Sequence, residues 1–152
     1  MSLRNILAPG HAIYGVPGSS KKRTLEYIAN FISQEQPGLD AKELFHQLVT
    51  REKLGSTGLG NGFALPHCRV AGCDRPEALF LRLAEPIDYD AIDRKPVDLV
   101  FALVVPEEET EKHLEFLRMI AEQFSNEALC EELRAARDSE SLYRLLTDKV
   151  ST

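Results

Sequence analysis

The chain has 152 residues, 24 acidic against 18 basic side chains and a net charge of -6, which disfavours the basic, phosphate-neutralising surface that general nucleic-acid binding needs. Its 43% hydrophobic content is ordinary for a globular protein, and no apolar run approaches the roughly 20 residues that cross a bilayer. Three cysteines, Cys68, Cys73 and Cys130, are odd in number and lack metal-ligand spacing, so neither a disulfide scaffold nor a zinc ribbon is indicated and they read as reduced thiols.

The start, "MSLRNILAPGHAIYGVPG", has no basic region followed by an apolar stretch and a cleavage site, which predicts a cytoplasmic location. "SSKKRTLEYIANFISQ" puts Leu25, Ile28, Phe31 and Ile32 at helical spacing with Ser19 or Ser20 as cap. "PGLDAKELFHQLVTREKLG" predicts a second helix, capped by Asp40, with Leu44, Phe45 and Leu48 inward and Gly55 at its end. That helix delivers Arg51 to the edge of the glycine-rich stretch "GSTGLGNGFALPHCRV".

Beyond it, "FALPH", "ALFLRL" and "VDLVFALVVP" read as strands, the last stopped by Pro106. "EEETEKHLEFLRMIAEQF" predicts a helix with Leu114, Leu117, Ile120, Ala121 and Phe124 on one face, glutamates opening it and His113 near its start. Two short helices follow in "NEALCEELRAAR" and "DSESLYRLLTDKV", capped by Asn126 and Asp138. Helices, then strands, then helices lack strict strand-helix alternation, so the expectation is an α/β single domain over 1–152, a mixed parallel and antiparallel sheet flanked by helices.

The glycine stretch has no Lys-Ser/Thr ending, so it is no P-loop, and its spacing misses the dinucleotide fingerprint. A turn needing positive backbone angles is the plain alternative. Cys68 beside His67 invites a thiol nucleophile, but neighbours in extended chain point in opposite directions. Ser56 and Thr57 lack the strand that leads into a nucleophile elbow. A metal site would need His67, His113 and an acidic residue to converge, which spacing neither requires nor excludes; His11 and His46 read as core or surface residues. Phosphoryl transfer uses more of these residues. A neutral imidazole is nucleophilic near pH 7, and glycine-loop N–H groups, a guanidinium and a second imidazole can hold phosphate oxygens. His67, Arg51 and His113 supply such a set.

"TREKLGSTGLGNGFALPHCRV", "PIDYDAIDRKPVDLVFALVVP" and "KHLEFLRMIAEQF" together resemble the IIA domain family of the bacterial phosphoenolpyruvate phosphotransferase system, nearest its nitrogen-regulatory branch. The resemblance runs from about "SKKRTLEYIA" to the final helices. It implies a reversibly phosphorylated histidine, matched by His67, a second phosphoryl-binding histidine, matched by His113, and an arginine, matched by Arg51. Thr50 is a candidate hydroxyl contact. The resemblance further implies no cofactor and no metal, a nitrogen-branch histidine phosphocarrier as donor, and regulatory targets such as potassium-transport or sensor-kinase components, with no nucleic acid and no membrane insertion. A sugar-specific IIA component for fructose or mannitol, passing phosphate to a IIB partner, and a binding module that carries no phosphate are the alternatives. Many family members have glycine where this chain has Cys68, which raises the question of redox control at that position.

Overall fold

The computed structural model describes residues 1–109 and 111–150; Thr110, which falls inside the glutamate-rich segment read as a helix start, and Ser151 and Thr152 of the expected domain lie outside them. A short helix α1 (Leu3–Ile6) and a 3-10 turn (Pro9–His11) lead into strand β1 (Ala12–Val16). Helices α2 (Lys21–Glu35) and α3 (Ala41–Leu54) follow, then β2 (Gly58–Gly60), β3 (Phe63–Ala64), β4 (His67–Val70), β5 (Glu77–Ile87) and β6 (Val97–Pro106). Three helices close the described chain: α4 (Lys112–Phe124), α5 (Glu127–Ala135) and α6 (Ser139–Lys149).

The caps explain where the helices begin. Ser20 accepts from the Arg23 amide, Asp40 from Glu43, Asn126 from Ala128 and Leu129, and Asp138 from Ser141, each satisfying amides that no helical carbonyl reaches. Helix α4 differs. Glu111 at its N-cap makes no side-chain cap, and Glu107 and Glu108 occupy a turn ahead of the helix rather than its first turn.

One mixed sheet has the order β1-β5-β6-β3-β2, with β4 also on β6. The pair β5–β6 is antiparallel, whereas β1 runs parallel to β5 and both β3 and β4 run parallel to β6. Strands β3 and β4 lie in succession along one side of β6, interrupted at Leu65 and Pro66. Proline has no N–H to give a ladder, and here the Leu65 amide turns away to the Thr57 carbonyl at 2.9 Å while the Pro66 carbonyl takes the Leu103 amide at 3.0 Å. The ladder then resumes with His67 opposite Leu103.

Strand alternation divides the interior into two layers. Phe63, Phe80, Phe101 and Leu103 pack beneath α1, α4, α5 and α6. Leu79, Leu81, Val100, Ala102 and Cys68 pack beneath α2 and α3. Because both faces of β6 are covered, its sequence is an unbroken apolar run from Leu99 rather than an alternating one.

Helix α4 corrects one expectation from the pattern. Leu114, placed on the apolar face by the spacing, is 54% exposed. The buried stripe is His113, Phe116, Leu117, Ile120 and Phe124, a helical row on which Leu114 stands about 100° out of phase.

Candidate functional site

Strand β4 borders the sheet at this end, so helices from its two faces can meet over it. A cavity of about 650 Å³ lies there. Helix α3 lines it with Thr50, Arg51 and the 81% exposed Leu54, β4 with His67, Cys68 and Arg69, and α4 with His113 and Leu114. All four residues singled out from the sequence, His67, His113, Arg51 and Thr50, therefore border one space, although 46 residues separate the two histidines by number.

His67 sits at the first position of β4 and is half-buried. Its Nδ1 lies 2.8 Å from the Leu65 carbonyl oxygen. A carbonyl can only accept, so Nδ1 carries the proton and the Nε2 lone pair is the free one. Burial depresses the His67 pKa below 6.5, and the nearby positive charge of Arg51 and the proximity of His113 act in the same direction; the Leu65 hydrogen bond and the Glu52 charge oppose them. The ring is thus a neutral, nucleophilic imidazole at pH 7.

His113 stands in the first turn of α4 and is 8% exposed. Its pKa is also depressed, first by burial and then by the Arg69 guanidinium, with Glu109 opposing. Its Nδ1 is buried with no hydrogen-bond partner among the described residues, and an unpaired buried nitrogen is the kind of group that marks a place for something else to bind. Arg51 is oriented by its own helix end: Nη1 donates to the Gly55 carbonyl at 2.9 Å, across the turn that Gly55 makes at φ 156°. Thr50 is exposed at the cavity rim.

Cys68 borders the cavity too, but only 8% of it is exposed. Alternation along β4 sends it into the α2–α3 core, where burial first, and then Cys73, push its thiol up to about 12. It stays protonated, so it is neither a thiolate nucleophile paired with His67 nor a readily oxidised group. The glycine stretch is corrected as well. None of its glycines lines the cavity; Gly55 ends α3, and the others build the β2–β3 hairpin, where Gly60, Asn61 and Gly62 take φ of 104°, 57° and 76°. Gly62 is pressed against the Arg134–Asp98 ion pair, in which Arg134 Nε reaches Asp98 at 2.9 Å, and Gly58 against Ala91. The glycines are required by turns and close packing rather than by a phosphate.

Sequence reasoning passed over Arg69 and Glu107, both at the cavity. Arg69 carried a signal: in a strand starting at His67, position 69 shares its face. Among the described residues no group of three or more His, Cys, Asp or Glu could hold a metal ion, and no helix is long and apolar enough to cross a membrane.

The likenesses to known proteins agree with this architecture. The nitrogen regulatory protein of Pseudomonas aeruginosa is 51% identical over 146 residues, covering 96% of this chain and 95% of the relative. The crystal structure of nitrogen regulatory protein IIA-Ntr from Neisseria meningitidis superposes with a TM-score of 0.88 at 40% identity, covering 93% of this chain and 97% of that one. The IIA mannitol protein of Escherichia coli shares the fold, with a TM-score of 0.72 at 18% identity over 90% of this chain and 96% of its own. With residues 5–149 matching the family model of the phosphoenolpyruvate-dependent sugar phosphotransferase system, EIIA 2, the chain belongs to that family and is a phosphotransfer component of the IIA type.

Proposed function

We propose that residues 1–152 form one IIA domain that accepts a phosphoryl group on His67 from a nitrogen-branch histidine phosphocarrier in the cytoplasm and regulates target proteins through its phosphorylation state. The observation that carries this reading is the His67 ring itself: a neutral imidazole with Nδ1–H held by Leu65 and Nε2 left free, bordering a cavity that Arg51 and His113 share. In the transfer, the Nε2 lone pair forms the new N–P bond while the phosphorus bond to the donor imidazole breaks, its electron pair returning to the donor. Arg51 offers a guanidinium for two phosphate oxygens, and His113 a hydrogen bond to a third. Thr50 adds a hydroxyl at the rim. Positioning and charge supply the catalysis, as is usual in phosphoryl transfer. The 51% identity to a nitrogen regulatory protein favours the regulatory branch, with potassium-transport or sensor-kinase components as the class of target.

The test is to incubate the purified chain with phosphoenolpyruvate, the first enzyme of the system and either a nitrogen-type or a sugar-type phosphocarrier. Faster acid-labile labelling by the nitrogen-type carrier, lost in His67→Ala, is the expected result. Faster labelling by the sugar-type carrier, with onward transfer to a IIB protein, would overturn the regulatory reading in favour of a sugar-specific component, and labelling that survives His67→Ala would remove His67 as acceptor.

A further inference from the structure

Beside Arg51 on α3 lies a buried acid that the transfer chemistry has not used. The Glu52 side chain is 5% exposed. It accepts from the Thr57 amide at 3.0 Å, from the Thr57 hydroxyl in a short contact, and from the Lys21 ammonium at 3.1 Å. Every partner is a donor, so the group is held as a carboxylate. The Thr57 hydroxyl also lies 3.3 Å from the phenolic oxygen of the fully buried Tyr89, and Lys21 stands 4.6 Å over the Tyr89 ring.

These contacts bear on the site in two ways. Arg51 and Glu52, adjacent on the last turn of α3, close the same loop from both sides: Arg51 grips the Gly55 carbonyl, and Glu52 grips the Thr57 amide. The position of the Arg51 guanidinium therefore depends on a turn that Glu52 holds. The second effect is electrostatic. When Nε2 of His67 bonds to phosphorus while Nδ1 keeps its proton on Leu65, the ring becomes cationic, and an anion in a low-dielectric setting favours that change. Glu52 is such an anion; its field at His67 opposes the effects of burial, Arg51 and His113.

We propose that Glu52 is a positioning residue for phosphoryl acceptance at His67, clamping the turn that anchors Arg51 and supplying the negative charge against which the imidazole becomes cationic, with Lys21 setting how much of that charge the site feels. The inference rests on the reading of His67 as acceptor. The groups whose charge acts on His67 are Arg51 and Glu52 from α3 and His113 from α4, and Arg69 from β4 and Glu107 also line its cavity; those that face Glu52 are Lys21 from α2, with Asp90 4.0 Å beyond it, and Thr57 and Tyr89.

The experiment uses phosphoramidate as a small phosphoryl donor, so that no partner protein intervenes, and follows both the labelling rate against pH and the His67 ring titration by NMR. Glu52→Gln keeps an acceptor oxygen for the Thr57 amide and removes the charge. It should slow labelling about tenfold, the size of one charge-assisted interaction, and move the His67 titration to lower pH. Lys21→Met leaves the Glu52 charge unopposed and should move the titration the other way, to higher pH, an opposition that a merely structural role would not produce. Should Glu52→Gln unfold the chain, Lys21→Met alone still reads the field. Label at His67 with rates and titrations unmoved, or with both variants shifting in one direction, would overturn the role of Glu52 alone. An unlabelled wild-type chain whose titrations shift as expected would instead overturn His67 as acceptor, and the role with it.

Discussion

Phe124 joins the far end of α4 to the sheet, and its removal tests how His113 is held at the near end. The side chain is 1% exposed, stacks on Phe63 at 4.2 Å with 9° between planes, and meets Phe80 and Phe101 at 5.9 and 6.3 Å. Truncation of a buried phenylalanine costs about 3–5 kcal/mol, and the three ring contacts place Phe124→Ala in the upper part of that range, since each such pair adds about 0.5–1.5 kcal/mol beyond burial. A domain of this size is stable by only about 5–15 kcal/mol, so about a quarter or more of its stability should disappear. Leu114→Ala on the same helix is the internal reference: with 54% of the residue exposed, its loss should be within about 1 kcal/mol. Urea unfolding followed by far-ultraviolet circular dichroism measures both. A loss below about 1 kcal/mol at Phe124, or a larger loss at Leu114 than at Phe124, would refute the helical phase assigned to α4 and with it the burial of His113.

Two further outcomes follow from the titrating groups. His67 and His113 both have pKa values below the ordinary 6.5, burial being the first cause in each, so the unfolded chain binds protons more readily than the folded one. Their contribution is fully present above pH 6.5 and lost as pH falls from there through the folded values; the urea midpoint should drop between pH 7.5 and 5.5, less so in a His67→Gln/His113→Gln variant, and an equal or steeper drop in that variant would contradict the assignment. Cys68, with its thiol pushed up to about 12, should resist iodoacetamide at pH 8 in the folded protein and react on unfolding; rapid modification of native Cys68 would show that it is not held in the α2–α3 core.

Much of this molecule was legible without coordinates because its signals are local. Ser20, Asp40, Asn126 and Asp138 act as caps where the pattern put them, since a cap needs only a short polar side chain and the amides two or three residues ahead. The buried run from Leu99 to Pro106 announced a strand covered on both faces. The first elements were less readable. Helix α1 has four residues and β1 only five, with Gly15 inside it at φ 80°, and segments so short carry too little periodicity to show. The glycine stretch misled for a related reason: a positive backbone angle looks the same in a sequence whether a hairpin or a phosphate demands it.

Residue types, local helices and strands, and the candidates His67, His113 and Arg51 were thus set by the amino-acid sequence alone, because periodicity, capping and side-chain chemistry act over a few residues. The tertiary structure decided what each candidate faces. Pro66 interrupts the pairing along β6, and His67 resumes it beside Leu103. The pleat then packs Cys68 into the α2–α3 core at the cavity's floor and puts His67 and Arg69 on the other face of β4, also at the cavity, and α3 and α4, packed on opposite faces of the sheet, bring Arg51 and His113 to the same rim. Burial and the company of Arg51 and Glu52, which tune the imidazole, exist only once elements distant in the chain have packed together, and no local pattern encodes them.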